Sequence, residues 1–184
     1  MLRHQGSDVM RGSIEVHRYL TERGISHEFY RLDRPLRRLE EAAALLDLRA
    51  DRVVSAVLFE ARRTPVLVLV PAGMVASAQA VAEAAGESRV RPAKPNRVIE
   101  LTGFLPSWLP PVGHERTTRA LVDRTLAGKG ALYAPGGDSG VMLVIRAADL
   151  IRATAGTVAD LAAAEPDASP TDPVTAPGSS LLAG

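Results

Sequence analysis

Helix-type and strand-type hydrophobic spacings alternate through the first quarter of the chain. Apolar residues between positions 14 and 20 recur at near-helical spacing and stop before Gly24, which predicts a first helix capped by a glycine. Residues 25–32 alternate imperfectly between apolar and polar positions and predict a strand. After Pro35, the apolar positions within residues 39–46 predict a second amphipathic helix.

Two apolar runs then follow each other closely. Residues 52–60 and 65–71 are separated by Ala-Arg-Arg-Thr, a connection short enough for a hairpin. Because both runs are apolar at odd and even positions alike, we expect two central strands of a covered sheet or barrel.

The rest of the chain mixes both patterns. Helices are predicted at residues 75–85, 96–101, 147–153 and 158–164, and short strands at residues 89–91, 120–123, 131–134 and 141–146. Residues 135–140 (PGGDSG) could cradle an anion with backbone N–H groups, but they fit neither common phosphate-binding glycine pattern. A tight hairpin turn is therefore favoured, and the fold class predicted is α+β.

The segment 101–114 (LTGFLPSWLPPVGH) combines three prolines with two glycines and holds the only tryptophan of the chain. Its prolines remove conformational freedom, so the segment should be rigid. Two interpretations stay open. The segment is a preformed wall of a binding site, or it is a surface loop whose Trp108 folds over the core.

Composition predicts one domain with two tails. At 184 residues and 46% hydrophobic content, the chain can bury one sizeable core. We expect a flexible N-terminus at residues 1–12, a folded domain at 13–164 and a disordered tail rich in Pro, Ala, Ser and Thr at 165–184. The absence of cysteine excludes disulfides and thiol chemistry, and with no signal peptide or long apolar run we expect a cytoplasmic protein without a membrane partner.

Few residues suggest chemistry by themselves. The four histidines lack metal-ligand spacing, so we expect neither a metal nor another cofactor. Ser55 shares a strand face with Val57 and Phe59, where a core serine bonded to backbone is favoured over a functional one. Net charge is only +1, so an RNA contact would need a local cluster of arginines, and no DNA partner is expected.

Two arginine doublets could supply that cluster. Arg37 and Arg38 begin a helix, and Arg62 and Arg63 occupy a hairpin turn. They could meet as a phosphate-binding rim, although each doublet alone also suits a solvated surface.

Five segments, taken in order, resemble the YbaK/prolyl-tRNA synthetase-associated domain family. They are residues 52–59, 101–114, 122–123, 135–137 and 147–161, and the resemblance covers residues 13–163. It implies a mixed, barrel-like β-sheet flanked by helices. It also implies an aminoacyl-tRNA deacylase that removes wrong amino acids from tRNA, with tRNA or aminoacyl-tRNA as partner and an aminoacyl-tRNA synthetase as a further candidate.

The departures from the family pattern fall at its expected site. Ser55 stands where family members usually carry a lysine, and Ser107-Trp108 replaces a glycine pair. The resemblance implies Ser55, Gly113 and His114 as candidate catalytic residues. The candidate substrate-binding residues are Gly103, Phe104, Trp108, Pro111, Gly136, Gly137 and Asp138. The resemblance also makes Arg37, Arg38, Arg62 and Arg63 candidates for contact with tRNA.

Two functions remain open. The chain is a diverged trans-editing hydrolase, in which backbone N–H groups polarise the ester carbonyl and the substrate assists. Alternatively, it is a non-catalytic binding module for tRNA ends, aminoacyl groups or a small metabolite. A pocket joining Ser55 to the candidate glycines and His114 would favour the hydrolase, whereas Trp108 filling that pocket would favour the binding module.

Overall fold

The computed structural model describes residues 10–34, 36, 38–116 and 118–164. The helices are α1 (Ser13–Glu22), α2 (Glu41–Leu45), α3 (Ala78–Ala85), α4 (Pro95–Thr102), α5 (Arg124–Ala127) and α6 (Ala147–Thr154). The strands are β1 (Glu28–Arg31), β2 (Val54–Ala61), β3 (Val66–Pro71), β4 (Met74–Ala76), β5 (Val90–Pro92), β6 (Arg119–Asp123), β7 (Ala131–Pro135), β8 (Val141–Arg146), β9 (Thr157–Ala159) and β10 (Ala162–Ala164). The tail predicted at 165–184 lies outside the described residues.

A five-stranded sheet carries the two apolar runs at its centre, in the order β5-β2-β3-β6-β9. The β2–β3 pair is an antiparallel hairpin whose register runs from Val54 opposite Pro71 to Phe59 opposite Val66. The parallel pairs β3–β6 and β6–β9 complete one side, and β5 pairs with the last three residues of β2 on the other. Every residue of β3 is buried, which confirms the prediction of a central strand.

A second sheet has the order β1-β8-β7, and β4 pairs with β10 separately. The turn between β7 and β8 is the hairpin turn predicted for PGGDSG, with the Gly136 N–H donating to the Val141 carbonyl over 2.7 Å. A bridge between Val53 and Tyr133 links the two larger sheets. The mixed α+β architecture is confirmed, but the strands of the described residues do not close into a barrel.

The alanine-rich segments were partly predicted wrongly. The helix expected at 75–85 begins only at Ala78, after the strand β4, and the helix expected at 158–164 is replaced by β9 and β10. The carboxylate of Asp123 accepts hydrogen bonds from the N–H groups of Leu161 and Ala162, both over 2.8 Å. These contacts hold the chain extended there, so tertiary structure overrides the helix propensity of alanine.

Three clusters of buried side chains form the core. The largest lies between the sheets and helices α1, α4 and α6, and a second lies beneath α3. The third surrounds Trp108 and includes Leu32, Val53 and Met142. No helix in the described part of the chain has the length and apolarity needed to cross a membrane.

Candidate functional site

A cavity of about 370 Å³, here called the Ser55 cavity, lies against β2. Residues 55–58 of the strand form one side, and residues of α4 and of the loop after it form another. The cavity exists because the edge of β2 has a gap. Tyr133 meets the strand at Val53, and β5 pairs with it only from Phe59 onward.

The gap leaves backbone polar groups of β2 available to a ligand. The carbonyl of Leu58 points to this edge and accepts a hydrogen bond from the Ala93 N–H over 2.8 Å. Alternate residues of a strand direct their N–H and C=O groups to the same edge, so those of Ala56 face the gap. A ligand in the cavity can therefore meet a backbone N–H donor there.

Ser55 also lines this cavity. The residue lies opposite Val70 and is half-buried, and within the described residues its hydroxyl makes no hydrogen bond. Since no buried side-chain polar atom of the described residues lacks a partner, this hydroxyl is in contact with solvent. The interpretation of Ser55 as a core serine bonded to backbone is therefore wrong.

The rest of the lining is mostly apolar, with charge at its rim. Leu58, Val98 and Leu109 are aliphatic residues of this lining, and Ser107 of the loop is a second serine in it. Arg38 and Glu40 also line the cavity and form an ion pair of 3.4 Å. Sequence reasoning did not identify Ser107, Glu40 or the Ala56 backbone as parts of this site, because only the gap in the sheet brings them together.

Trp108 points away from this cavity. Its side chain is 7% exposed and packs with Ala42, Ala43 and Ala72 as well as the neighbours given above. Pro106, Ser107 and Leu109 line the Ser55 cavity, but Trp108 does not. The geometry therefore agrees with the interpretation in which the indole folds over the core, and the cavity is not filled by it.

Several candidate glycines lie against the N-terminal segment instead. A Cβ at Gly113 would come within 3.2 Å of the Val16 backbone, and one at Gly137 would come within 2.9 Å of the Gly12 backbone. A Cβ at Gly103 would come within 2.5 Å of the Arg11 side chain. These glycines allow close packing of α1 and the residues before it, rather than forming a wall of the Ser55 cavity.

Polar contacts fix the same N-terminal segment. Arg11 donates from its backbone N–H to the Gly103 carbonyl over 2.9 Å and from Nε to the Gly113 carbonyl over 3.0 Å. The carboxylate of Asp138 accepts hydrogen bonds from the N–H and the hydroxyl of Ser13, over 3.0 and 2.5 Å. Asp138 is thus already engaged at the start of α1.

The remaining candidates are also packed away from the Ser55 cavity. Phe104 is fully buried, and a Cβ at Gly136 would meet Val141 and Phe29. Pro111 lines a small cleft of about 190 Å³ together with His114. The structure therefore does not bring these residues into one pocket with Ser55.

His114 is held as a neutral imidazole. Its Nε2 lies 2.7 Å from the Pro110 carbonyl oxygen, and its Nδ1 lies 3.3 Å from the Thr118 hydroxyl. Burial lowers the pKa of His114 to about 4; the bond to Pro110 opposes this shift, and the positive charge of Arg11 adds to it. With Nε2–H donating and Nδ1 accepting, both ring nitrogens have partners and neither is free to act as a base.

The described members of the two arginine doublets do not share a cavity. Arg38 lines the Ser55 cavity, whereas Arg63 lines a separate cleft at the end of the β2–β3 hairpin. Arg62 is exposed and lines neither, and Arg37 lies outside the described residues. A single rim built from both doublets is therefore absent from the described structure. No group of three or more possible metal-ligating side chains occurs within the same residues.

Most of the chain matches a known protein family. The model of the aminoacyl-tRNA editing domain family matches residues 33–153, well over half of the chain. The chain belongs to this family. The matched region includes β2 with Ser55 and the loop that follows α4. The resemblance to the YbaK-type editing proteins is thereby confirmed.

Solved structures show the same fold over the described domain. A protein described as a candidate trans-editing enzyme for prolyl tRNA synthetase is 28% identical, with a TM-score of 0.77, covering 82% of this chain and 96% of its own. A hypothetical protein is 29% identical, with a TM-score of 0.76, covering 81% and 99%. A scaffold protein from computational epitope grafting is 26% identical, with a TM-score of 0.75, covering 82% and 96%. No curated protein matches the chain.

Proposed function

We propose that the protein is a diverged aminoacyl-tRNA deacylase, which hydrolyses the ester between an amino acid and the terminal ribose of a mischarged tRNA. One observation carries the proposal: in a member of the editing domain family, the gap in the β2 edge opens into a cavity beside the solvent-exposed Ser55 hydroxyl. Its volume of about 370 Å³ suits an amino acid and part of a ribose.

The expected chemistry depends on hydrogen-bond donors. Water adds to the ester carbonyl, the carbonyl oxygen becomes negatively charged, and collapse releases the free amino acid and the ribose hydroxyl. Donors directed at that oxygen lower the barrier because they act where charge develops. The Ala56 N–H on the open edge and the Ser55 and Ser107 hydroxyls are the groups proposed for this role.

The site lacks two groups that would make hydrolysis fast. No lysine lines the cavity within the described residues, and the only carboxylate in that lining, Glu40, is paired with Arg38. Proton transfer would then involve Glu40 or the neighbouring ribose hydroxyl of the substrate itself. We therefore propose slow hydrolysis, in the cytoplasm where charged tRNAs are used, with tRNA for proline included among the substrates to be tested because of the similar trans-editing protein.

The missing cation favours a second candidate function. A cavity with hydroxyl and N–H donors but no strong base could bind an aminoacyl group or a tRNA end without cleaving it. The two functions differ in one assay, which follows the release of labelled amino acid from a panel of mischarged tRNAs against enzyme-free controls. Release above the control supports the deacylase. Binding of aminoacyl-tRNA without release supports the binding module.

A further inference from the structure

A second cavity, of about 660 Å³, lies at the end of the β2–β3 hairpin and is rich in arginine. Its lining includes Arg63, Arg89, Arg91, Arg97 and Arg116, and among the residues that the structure describes Glu60 supplies its one carboxylate. We call it the arginine cleft. These arginines come from four separate parts of the chain, the hairpin turn, β5 with the residue before it, α4, and the loop before β6.

Two of the five guanidinium groups are held in place by Glu60. Arg91 lies 2.8 Å from one carboxylate oxygen and Arg97 lies 3.1 Å from the other. Arg97 also pairs with Glu100 over 2.5 Å. The hydrogen bond from Arg97, with further help from Arg91, lowers the pKa of Glu60, so this carboxylate stays charged at neutral pH. The pair is thus oriented before any ligand arrives.

The other three arginines have no carboxylate partner within the described residues. Arg63, Arg89 and Arg116 are exposed, and none of them makes a hydrogen bond or an ion pair within the described residues. Guanidinium groups match phosphate oxygens because they donate two parallel hydrogen bonds. A cleft with an excess of such groups, on a chain whose net charge is only +1, concentrates positive potential at one place.

The arginine cleft and the Ser55 cavity share the same elements. Residues 55–58 of β2 border the Ser55 cavity, and Glu60 and Ala61 border the cleft. Val98 of α4 faces the cavity, while Arg97 and Leu101 face the cleft. At about 3.3 Å per strand residue, Ser55 and Glu60 lie roughly 17 Å apart along β2, which corresponds to about five nucleotides of a stacked strand at 3.4 Å each.

We propose that the arginine cleft binds the phosphate backbone of the RNA whose aminoacylated end occupies the Ser55 cavity. The inference rests on the proposed function for the identity of the RNA. It assigns Arg63, Arg89 and Arg116 as phosphate ligands and Arg91 and Arg97 as a preoriented pair beside them. Glu60 does not bind phosphate itself; it holds Arg91 and Arg97 in position.

The test measures binding of uncharged tRNA, so it does not depend on hydrolysis. The triple variant Arg63→Gln, Arg89→Gln, Arg116→Gln removes three positive charges without touching the Glu60 ion pairs. The matched control Arg18→Gln, Arg34→Gln, Arg146→Gln removes the same charge from exposed positions outside both cavities. A Lys version of the first variant keeps charge but loses the two-point geometry.

Fluorescence anisotropy with labelled tRNA at several salt concentrations gives the affinities. We expect the cleft variant to bind at least tenfold more weakly, with the slope of log K against log salt smaller by about two, since each phosphate contact contributes about 0.7 to 0.9. The control variant should stay within about threefold of the wild type, and the Lys variant should lie between the two. Circular dichroism confirms that each variant is folded.

Three results would overturn the inference. The wild type shows no measurable binding of tRNA, the cleft and control variants lose equal affinity for tRNA, or the cleft variant loses affinity for an acidic peptide but not for tRNA. The proposed function fails separately. Weak tRNA binding by the cleft variant with no deacylation by the wild type would retain the RNA cleft and reject the hydrolase. Deacylation by the wild type that is unchanged in the cleft variant would retain the hydrolase and reject the RNA cleft.

Discussion

The Nε2 atom of His114 lies 2.7 Å from the carbonyl oxygen of Pro110, which ties this imidazole to the proline-rich loop. The bond joins two residues of the segment that carries three prolines, and the Phe104 ring packs against the same imidazole in a T-shaped arrangement, with 6.0 Å between ring centroids. Protonating His114 would place a charge in a desolvated position near Arg11. The protonation state of this side chain is therefore coupled to folding.

This coupling predicts a specific dependence of stability on pH. The folded-state pKa of His114 is about 4, below the ordinary histidine value, so the unfolded chain binds a proton first as the pH falls. Its stabilising contribution is complete above about pH 6.5 and declines as the pH falls toward 4, with a slope of up to about 1.4 kcal/mol per pH unit. Urea unfolding of the wild type and of His114→Gln at intervals across this range should show a flatter profile for the variant. Equal slopes would contradict the account, and His17→Gln, which changes an exposed imidazole, is the control.

Trp108 should behave as a core residue. Because its indole packs among buried side chains of a separate cluster, Trp108→Ala should lower the free energy of unfolding by about 3 to 5 kcal/mol. Leu105→Ala removes a side chain that is 46% exposed in the same loop and should cost less than about 0.5 kcal/mol. Denaturant unfolding measures both. A cost for Trp108→Ala close to that of Leu105→Ala would show that the indole does not support the core.

Asp123 should determine the path of the chain after α6. Its carboxylate accepts two backbone N–H groups from residues 161 and 162 and also caps α5 through the Thr125 N–H over 2.9 Å. Asp123→Ala leaves the buried Leu161 N–H without this partner, so we expect a loss of about 2 to 4 kcal/mol. Hydrogen exchange should accelerate at residues 161 and 162. Asp160→Ala removes only an exposed ion pair with Arg124 and should change little. Unchanged exchange at 161 and 162 in Asp123→Ala would contradict the assigned role.

A lysine in place of Ser55 should increase hydrolysis. An ammonium group in the cavity could stabilise negative charge on the ester oxygen more strongly than a hydroxyl does. We expect Ser55→Lys to raise the rate of amino acid release from at least one mischarged tRNA by about tenfold, equivalent to about 1.4 kcal/mol of transition-state stabilisation. Ser107→Lys, at the loop side of the same cavity, is the matched comparison. If neither folded variant gains activity over an active wild type, charge at this position is not the missing element.

The sequence predicted much of the sheet and less of the site. Continuous apolar runs predicted the β2–β3 hairpin correctly. A strand that is buried on both faces can be recognised from its own residues, without knowing which strands lie beside it. The strands at 157–164 were missed because their extended form depends on Asp123, almost forty positions away. The direction of Trp108 and the gap beside Ala56 depend on how the sheets meet, and hydrophobic spacing carries no information about that.

The arginine cleft was even harder to predict from the sequence than the Ser55 cavity. Arg63 was identified from its doublet, but Arg89, Arg91, Arg97 and Arg116 are spread over separate elements and give no local signal. Only the packing of the hairpin end, β5 and α4 places them around one cavity. The family resemblance implies an RNA substrate, but it did not indicate which arginines would contact the RNA.

The most direct test of the central claim is the rate of amino acid release from mischarged tRNAs by the wild type and by Ser55→Phe, which fills the Ser55 cavity. The account predicts release above the enzyme-free rate for at least one tRNA by the wild type. It also predicts release at the enzyme-free rate for a folded Ser55→Phe variant that still binds uncharged tRNA through the arginine cleft. Wild-type release indistinguishable from the enzyme-free rate on every tRNA, or full activity in Ser55→Phe, would contradict it.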